Sequence, residues 1–150
     1  MLNRYAAYCA LAIFALGARA GVAADLPTME LSINGNKVTA ELALNNNTRA
    51  TGLMRRFSLK PDHGMLFVFR EPQPLAFWMK NTFIALSIAY IDARGRIIDI
   101  LDMAPQTEET HPSSGLAMYA LEMKKGWFKD HGIMTGAVIA GLEKAPRAED

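Results

Sequence analysis

Five consecutive apolar residues, Met65 to Phe69, place the strongest constraint on the fold of this chain. Successive side chains of a β-strand point to opposite faces, so a strand of this composition must be covered on both sides. Pro72 and Pro74 follow it, and because proline donates no backbone hydrogen bond, they predict a turn. A second dense run over residues 76–80 predicts the next strand. Three polar residues, Lys80, Asn81 and Thr82, stand at its end.

The rest of the chain shows short alternating runs separated by turn residues. Asn34-Gly35 between two such runs is a strong hairpin signal. The pattern predicts further strands over residues 29–33, 37–44, 84–91, 96–103, 115–122 and 137–142, short helices over 49–56 and 125–131, and frayed ends over 24–27 and 145–150. We therefore expect a mostly β (α+β) fold: one small β-rich domain, built as a sandwich or a partly closed barrel with one or two short helices.

Residues 1–24 have the features of a secretory signal peptide. Arg4 supplies a positive charge, residues 5–16 are uncharged and mainly apolar, and residues 17–24 are rich in small side chains, which predicts cleavage after Ala20 or Ala24. The apolar run is shorter than the roughly 20 residues that span a bilayer. We expect an exported protein, periplasmic or secreted, with residues 25–150 as its single domain and no membrane span after cleavage.

The cysteine content and the charge exclude several classes of function. Cys9, the single cysteine, lies inside the predicted signal peptide, so the mature chain would carry no disulfide, thiolate metal site or cysteine nucleophile. Without Arg4 and Arg19 the chain has 14 basic and 15 acidic residues, a formal charge of −1, and no basic run is longer than two residues. Nucleic-acid binding usually needs a clustered basic surface. We therefore expect no nucleic-acid binding.

Four motifs, in order along the chain, resemble those of the domain of unknown function 192 family. They are Gly52-Leu53-Met54-Arg55-Arg56, the segment from Gly64 to Phe69, the segment from Phe77 to Thr82, and the segment from Leu121 to Trp127. The resemblance covers residues 38–142 and implies a small, mostly β, exported or membrane-associated domain, with no established reaction.

Two departures from the family pattern remove acidic residues. The family commonly has an aspartate where this chain has Ser87, and a Gly-Asp pair where this chain has Gly136-Ala137. A mechanism that used either aspartate as an acid, a base or a ligand is therefore not supported by this sequence.

The polar residues at the end of the second apolar run are the main candidates for a ligand site. Lys80 could bind an anion, while Asn81 and Thr82 could orient the ligand; Glu122 would supply a carboxylate, and Arg55 would lie at the rim. The alternative is architectural, because a buried lysine is costly unless it is paired. In that case Asn81 caps a turn and Lys80 pairs with a carboxylate such as Glu122.

The leading functional hypothesis is a non-catalytic ligand-binding or accessory module of the cell envelope. Its ligand would be a small molecule or an extended polymer, and no cofactor is expected. One alternative is an envelope hydrolase that uses Glu122 with Lys80, and another is a structural envelope protein. An enzyme requires these two side chains in one cleft, whereas a binding module requires only a concave, aromatic-lined patch. The sequence does not predict the oligomeric state.

Copper handling is a further alternative, because methionine selects Cu(I). The methionines are spread along different predicted strands, however, where they are typical of core packing. His63, His111 and His131 are isolated and lack the spacing of zinc ligands. We therefore expect no metal site.

Overall fold

The computed structural model describes residues 25–150, which form a curled β-sheet, a small second sheet and short helices. The predicted signal peptide, residues 1–24, lies outside the described residues. The elements in chain order are β1 (Thr28–Ile33), β2 (Asn36–Ala43), α1 (Asn46–Thr51), β3 (His63–Gln73), β4 (Ala76–Phe77), β5 (Leu86–Ile91), β6 (Ile97–Met103), β7 (His111–Pro112), β8 (Ala117–Lys124), α2 (Trp127–Asp130), β9 (Ile139–Ala140) and a 3-10 turn (Leu142–Lys144).

The main sheet has the strand order β6-β5-β8-β3-β2-β1-β9 and curls into a half-barrel. Its neighbours are antiparallel except β2 and β3, which run parallel and are joined through α1. At one end the two edges of the sheet meet, since the Ile139 amide donates to the Gly95 carbonyl and the Ile97 amide to the Ala137 carbonyl, each at 2.9 Å. The mostly β prediction is confirmed, and of the two architectures the partly closed barrel is the one observed.

Residues 64–68 of β3 are buried on both faces, as the apolar run predicts. Leu66 and Val68 belong to the hydrophobic cluster inside the half-barrel. Met65 and Phe67 belong to a second cluster on the opposite face, together with Leu53 from the turn after α1. The second face of the sheet is therefore covered by the α1 region, and the cleft described below lies there.

Two glycines allow neighbouring segments to approach β3 closely. A Cβ atom on Gly64 would lie 2.3 Å from the backbone oxygen of Glu122 in β8, so only glycine fits there. Gly52, at φ 47°, ends α1, and a Cβ atom on it would lie 3.3 Å from the Phe67 ring.

The first half of the chain departs from the sequence prediction in two places. Helix α1 begins at Asn46 rather than at residue 49, because the Asn45 side chain accepts a hydrogen bond from the Thr48 amide and caps the helix there. Strand β3 continues through Pro72 to Gln73, past the predicted turn. A register shift between Val68 and Gln73 leaves Pro72 without a pairing partner in β8, so the strand tolerates it.

The second half of the chain departs further from the elements predicted from the sequence. The predicted strand over residues 76–80 stops at Phe77, since a turn follows in which Asn81 has φ 56° and the Thr82 amide donates to the Met79 carbonyl at 3.1 Å. The loop predicted over 104–114 contains β7, which pairs with β4. The C-terminal residues expected to fray contact the domain instead, with the Glu149 amide donating to the Leu44 carbonyl at 2.9 Å.

Candidate functional site

A cleft of about 350 Å³ lies on the face of the sheet that α1 covers. This volume is within the usual range for small-molecule sites. Its walls are α1 with the turn after it, the segment around β4, and the floor of β3 and β8. The lining side chains are mainly apolar and aromatic, among them Leu53, Met54, Phe67, Phe69, Leu75, Phe77 and Trp78.

Glu122 contributes a buried carboxyl group to this cleft. The residue is 4% exposed and lies in β8 opposite Met65 of β3 and Ile88 of β5, both of which are apolar. Within residues 25–150 no salt bridge involves it. Burial raises its pKa to about 8, because the charged form loses its hydration. At neutral pH the group is therefore mostly protonated and can donate a hydrogen bond.

Two other buried polar side chains belong to this region, one in the cleft lining and one within range of the Glu122 charge. Thr82 is buried and lines the cleft, and its hydroxyl donates to the Lys80 carbonyl at 3.3 Å. Tyr90 is buried, and its hydroxyl donates to the His111 carbonyl. Burial raises the pKa of Tyr90 well above its ordinary value, and the negative charge of ionised Glu122 adds to the shift. Tyr90 therefore stays neutral, so Glu122 is the group of this pair that titrates near neutral pH.

Arg49 of α1 supplies the cation of the cleft. Its guanidinium donates to the carbonyls of Leu44 at 3.1 Å and Val68 at 2.9 Å, forms an ion pair with Asp150, and lies 4.9 Å from the centre of the Phe69 ring. Among the described residues that line the cleft, Arg49 and Glu122 are the ionisable ones. With Glu122 protonated, the lining carries one positive charge, that of Arg49, which Asp150 balances from outside the lining.

The structure brings together two of the five residues predicted as a ligand site, Thr82 and Glu122. Lys80 does not join them: its ammonium group lies 3.2 Å from a carboxylate oxygen of Glu108 and 5.2 Å from the centre of the Trp78 ring. Lys80 therefore pairs with a carboxylate, as in the architectural alternative, but the partner is Glu108 rather than Glu122. The turn after Met79 carries the Lys80 side chain outward to this other partner.

Arg55 and Asn81 lie outside the cleft lining, in two exposed turns. Both have positive φ angles, and the Arg55 amide donates to the Asn81 carbonyl at 2.8 Å. Beside this contact the rings of Phe57 and Phe83 stack with their centres 5.0 Å apart. The backbone hydrogen bond links the turn after α1 to the segment that follows β4.

Ser87, at the position where the family commonly has an aspartate, makes hydrogen bonds that connect parts of the fold. It is buried, its hydroxyl donates to Asp102 Oδ1 at 2.5 Å, and it accepts from the Gly126 amide at 2.9 Å. Ser87 is not among the cleft residues. Its hydrogen bonds join β5, β6 and the turn before α2.

Within residues 25–150 no group of three or more His, Cys, Asp or Glu side chains is placed to hold a metal ion. Met65, Met79, Met103 and Met123 are fully buried in the two hydrophobic clusters. None of the helices described in this chain has both the length and the apolar character needed to cross a membrane.

Residues 29–141 match the family model for domain of unknown function 192, described as "Uncharacterized ACR". The chain belongs to this family. The resemblance inferred from the four motifs is thereby confirmed. The match includes every residue that lines the cleft.

Two solved structures are similar to this member of the domain of unknown function 192 family. One is a protein from Sinorhizobium meliloti, proposed to be a transcription regulator, with 32% identity and a TM-score of 0.76 over 79% of this chain and 96% of that one. The other is a protein of unknown function from Novosphingobium aromaticivorans, with 27% identity and a TM-score of 0.72 over 79% of this chain and 88% of that one. No curated protein matches the chain.

Proposed function

We propose that this protein binds a small molecule, or one unit of an extended ligand, in the cleft and does not transform it. The observation that supports this most directly is Glu122, a buried carboxyl group with no ion-pair partner among the described residues, in a cleft with aromatic walls. Burying an ionisable group without a charged partner costs stability. A strongly shifted carboxyl group in a cleft is typical of a functional site.

The cleft chemistry favours a ligand with a ring and a hydrogen-bond acceptor. The protonated carboxyl group of Glu122 can donate to a carbonyl, ether or hydroxyl oxygen in a site shielded from water. Phe77 and Trp78 offer apolar area for a ring, and Trp78 is 45% exposed at the cleft surface. Most of the binding energy would come from the apolar contact, and Glu122 would fix the orientation.

The hydrolase alternative lacks a second catalytic side chain beside Glu122 in the described cleft lining. Glycoside hydrolysis commonly uses two carboxyl groups, and Glu122 is the one carboxyl group in the lining formed by residues 25–150. Lys80, the partner considered from the sequence, pairs with Glu108 instead. A role in transcription, as proposed for the Sinorhizobium protein, would require a basic surface if this chain bound DNA. The chain has 14 basic and 15 acidic residues from Asp25 onward, and this balance favours a small ligand.

An NMR titration with the neutral probe 3-phenylpropanamide tests the proposal. At pH 6.5 we expect saturable shifts in the amides around Leu53, Phe77 and Glu122, with a dissociation constant of about 1 mM for a probe of this size. Replacing Trp78 by alanine should weaken binding about fivefold or more, because the ring loses its aromatic wall.

Phe57→Ala is the matched control, since Phe57 is also an exposed aromatic side chain but does not line the cleft. It should leave the affinity for the probe unchanged. Shifts that do not saturate, or that are equally affected by both substitutions, would contradict a binding site in the cleft.

We also propose that the protein is exported to the periplasm or the medium, on the basis of residues 1–24. The intact mass of the native protein from that fraction should correspond to a chain that starts at or near Asp25. Recovery of a chain that starts at Met1 from the membrane fraction would count against export with cleavage.

A further inference from the structure

We infer that the ligand of the cleft carries an acidic group, and that the acidic tail, Glu149 and Asp150, occupies the subsite for this group until the ligand displaces it. The inference rests on the proposed ligand-binding role. It adds the chemical class of the ligand and a means by which the chain regulates access to its own site.

The first support is the way in which Arg49 is held. Two backbone carbonyls, of Leu44 and Val68, accept hydrogen bonds from one guanidinium nitrogen, and the Asn46 side chain accepts one at 2.8 Å from the other. These contacts fix the guanidinium before any ligand arrives, so little freedom is lost on binding. They leave its charge to be balanced by a further group.

The second support is the group that now balances this charge. The carboxylate of Asp150 accepts from the same nitrogen that donates to Asn46. The hydrogen bond from Arg49, opposed by slight burial, holds the pKa of Asp150 below its ordinary value, and the charge of Arg70 adds to this. A carboxylate therefore already sits against the arginine of the cleft, which shows that the geometry accepts this chemical group.

The tail itself is positioned by few contacts. The Glu149 amide donates to the Leu44 carbonyl at 2.9 Å, and the Asn45 side chain donates to the Glu149 carboxylate at 3.1 Å. Both tail residues are exposed. The side chain of Arg49 is 10% exposed and that of Asp150 is 32% exposed. A ligand can compete with this pair because it also gains apolar contact in the cleft.

The charge of the whole cleft agrees with an acidic ligand. Arg49 and Glu122 are the ionisable groups of its described lining, and a neutral Glu122 leaves the arginine uncompensated once the tail departs. A ligand that spans the cleft would place its acidic group on Arg49 and an acceptor atom on Glu122. The apolar walls between these two positions would hold the body of the ligand.

The test compares two probes of nearly the same shape, 3-phenylpropionate and 3-phenylpropanamide, by NMR titration at pH 6.5. In Asp150→Ala we expect the acid to bind about threefold to fivefold more tightly than in the wild type, because the carboxylate that competes for Arg49 is removed. The neutral amide should bind equally well to both. Glu109→Ala, which removes an exposed acid that does not line the cleft, should change neither affinity.

The outcomes separate this inference from the proposed function. If the amide binds in the cleft but the affinity for the acid is the same with and without Asp150, the tail does not compete, and the inference is wrong while the binding role stands. If Glu109→Ala tightens binding of the acid as much as Asp150→Ala, the effect is one of overall charge, which also overturns the inference. If neither probe binds to either protein, the proposed function fails as well.

Discussion

Replacing Phe67 by alanine is expected to lower the free energy of unfolding by about 3–5 kcal/mol. The ring is 1% exposed, meets the Phe77 ring edge-to-face at a centroid distance of 4.8 Å, and lies beneath Gly52. The substitution would leave a cavity between β3 and the turn after α1, since neither segment can close the gap without breaking its own hydrogen bonds. Chemical denaturation followed by circular dichroism measures the change.

Phe57→Ala provides the comparison for this measurement. This variant also removes a phenyl ring, but Phe57 is 84% exposed. Its substitution should therefore cost no more than its stacking on Phe83, about 1 kcal/mol. A loss of less than about 1 kcal/mol for Phe67→Ala would mean that the second face of β3 is not packed as described. The floor of the cleft would then be in question too.

The second large effect concerns Glu122 and pH. The folded-state pKa of about 8 lies above the ordinary value of 4.5, so the folded protein binds more protons than the unfolded chain between these two values. The stability contributed by the neutral carboxyl group is complete below about pH 4.5 and is lost as the pH rises to 8. The expected loss is about 1.4 kcal/mol per pH unit, or roughly 4 kcal/mol between pH 5 and pH 8.

Glu122→Gln removes this dependence, because the amide has a similar shape and never ionises. The stability of the wild type relative to Glu122→Gln should therefore fall steadily from pH 5 to pH 8, measured by urea denaturation at each pH. Glu109→Gln serves as the control and should show a flat difference over the same range, since Glu109 is exposed. A flat difference for Glu122→Gln as well would mean that Glu122 is ionised in the folded protein.

Features that depend on local pattern could be predicted from the sequence. The apolar run of β3 requires cover on both faces, and the structure supplies two hydrophobic clusters. Glu122 and Thr82 are candidates for a site because burying a polar side chain beside an apolar strand is costly. Both of them line the cleft.

Features that depend on distant contacts could not be predicted. Arg49 belongs to the cleft because carbonyls from β3 and from the end of β2 hold it, and no spacing in the sequence reveals those partners. Lys80 turns toward Glu108 because of a turn that the strand-like pattern of Phe77 to Lys80 conceals. The sequence of the tail is typical of a frayed end, and it does not reveal that Asp150 pairs with Arg49.

The most direct test of the account is the titration of Glu122 itself. The side-chain carboxyl carbon can be observed by NMR in protein labelled with carbon-13 at glutamate and assigned with Glu122→Gln. We expect its chemical shift to change with a midpoint near pH 8, as for a buried carboxyl group that is protonated at neutral pH. A midpoint near the ordinary value of 4.5 would show that the group is hydrated or paired, and would contradict a cleft with a neutral hydrogen-bond donor in its floor.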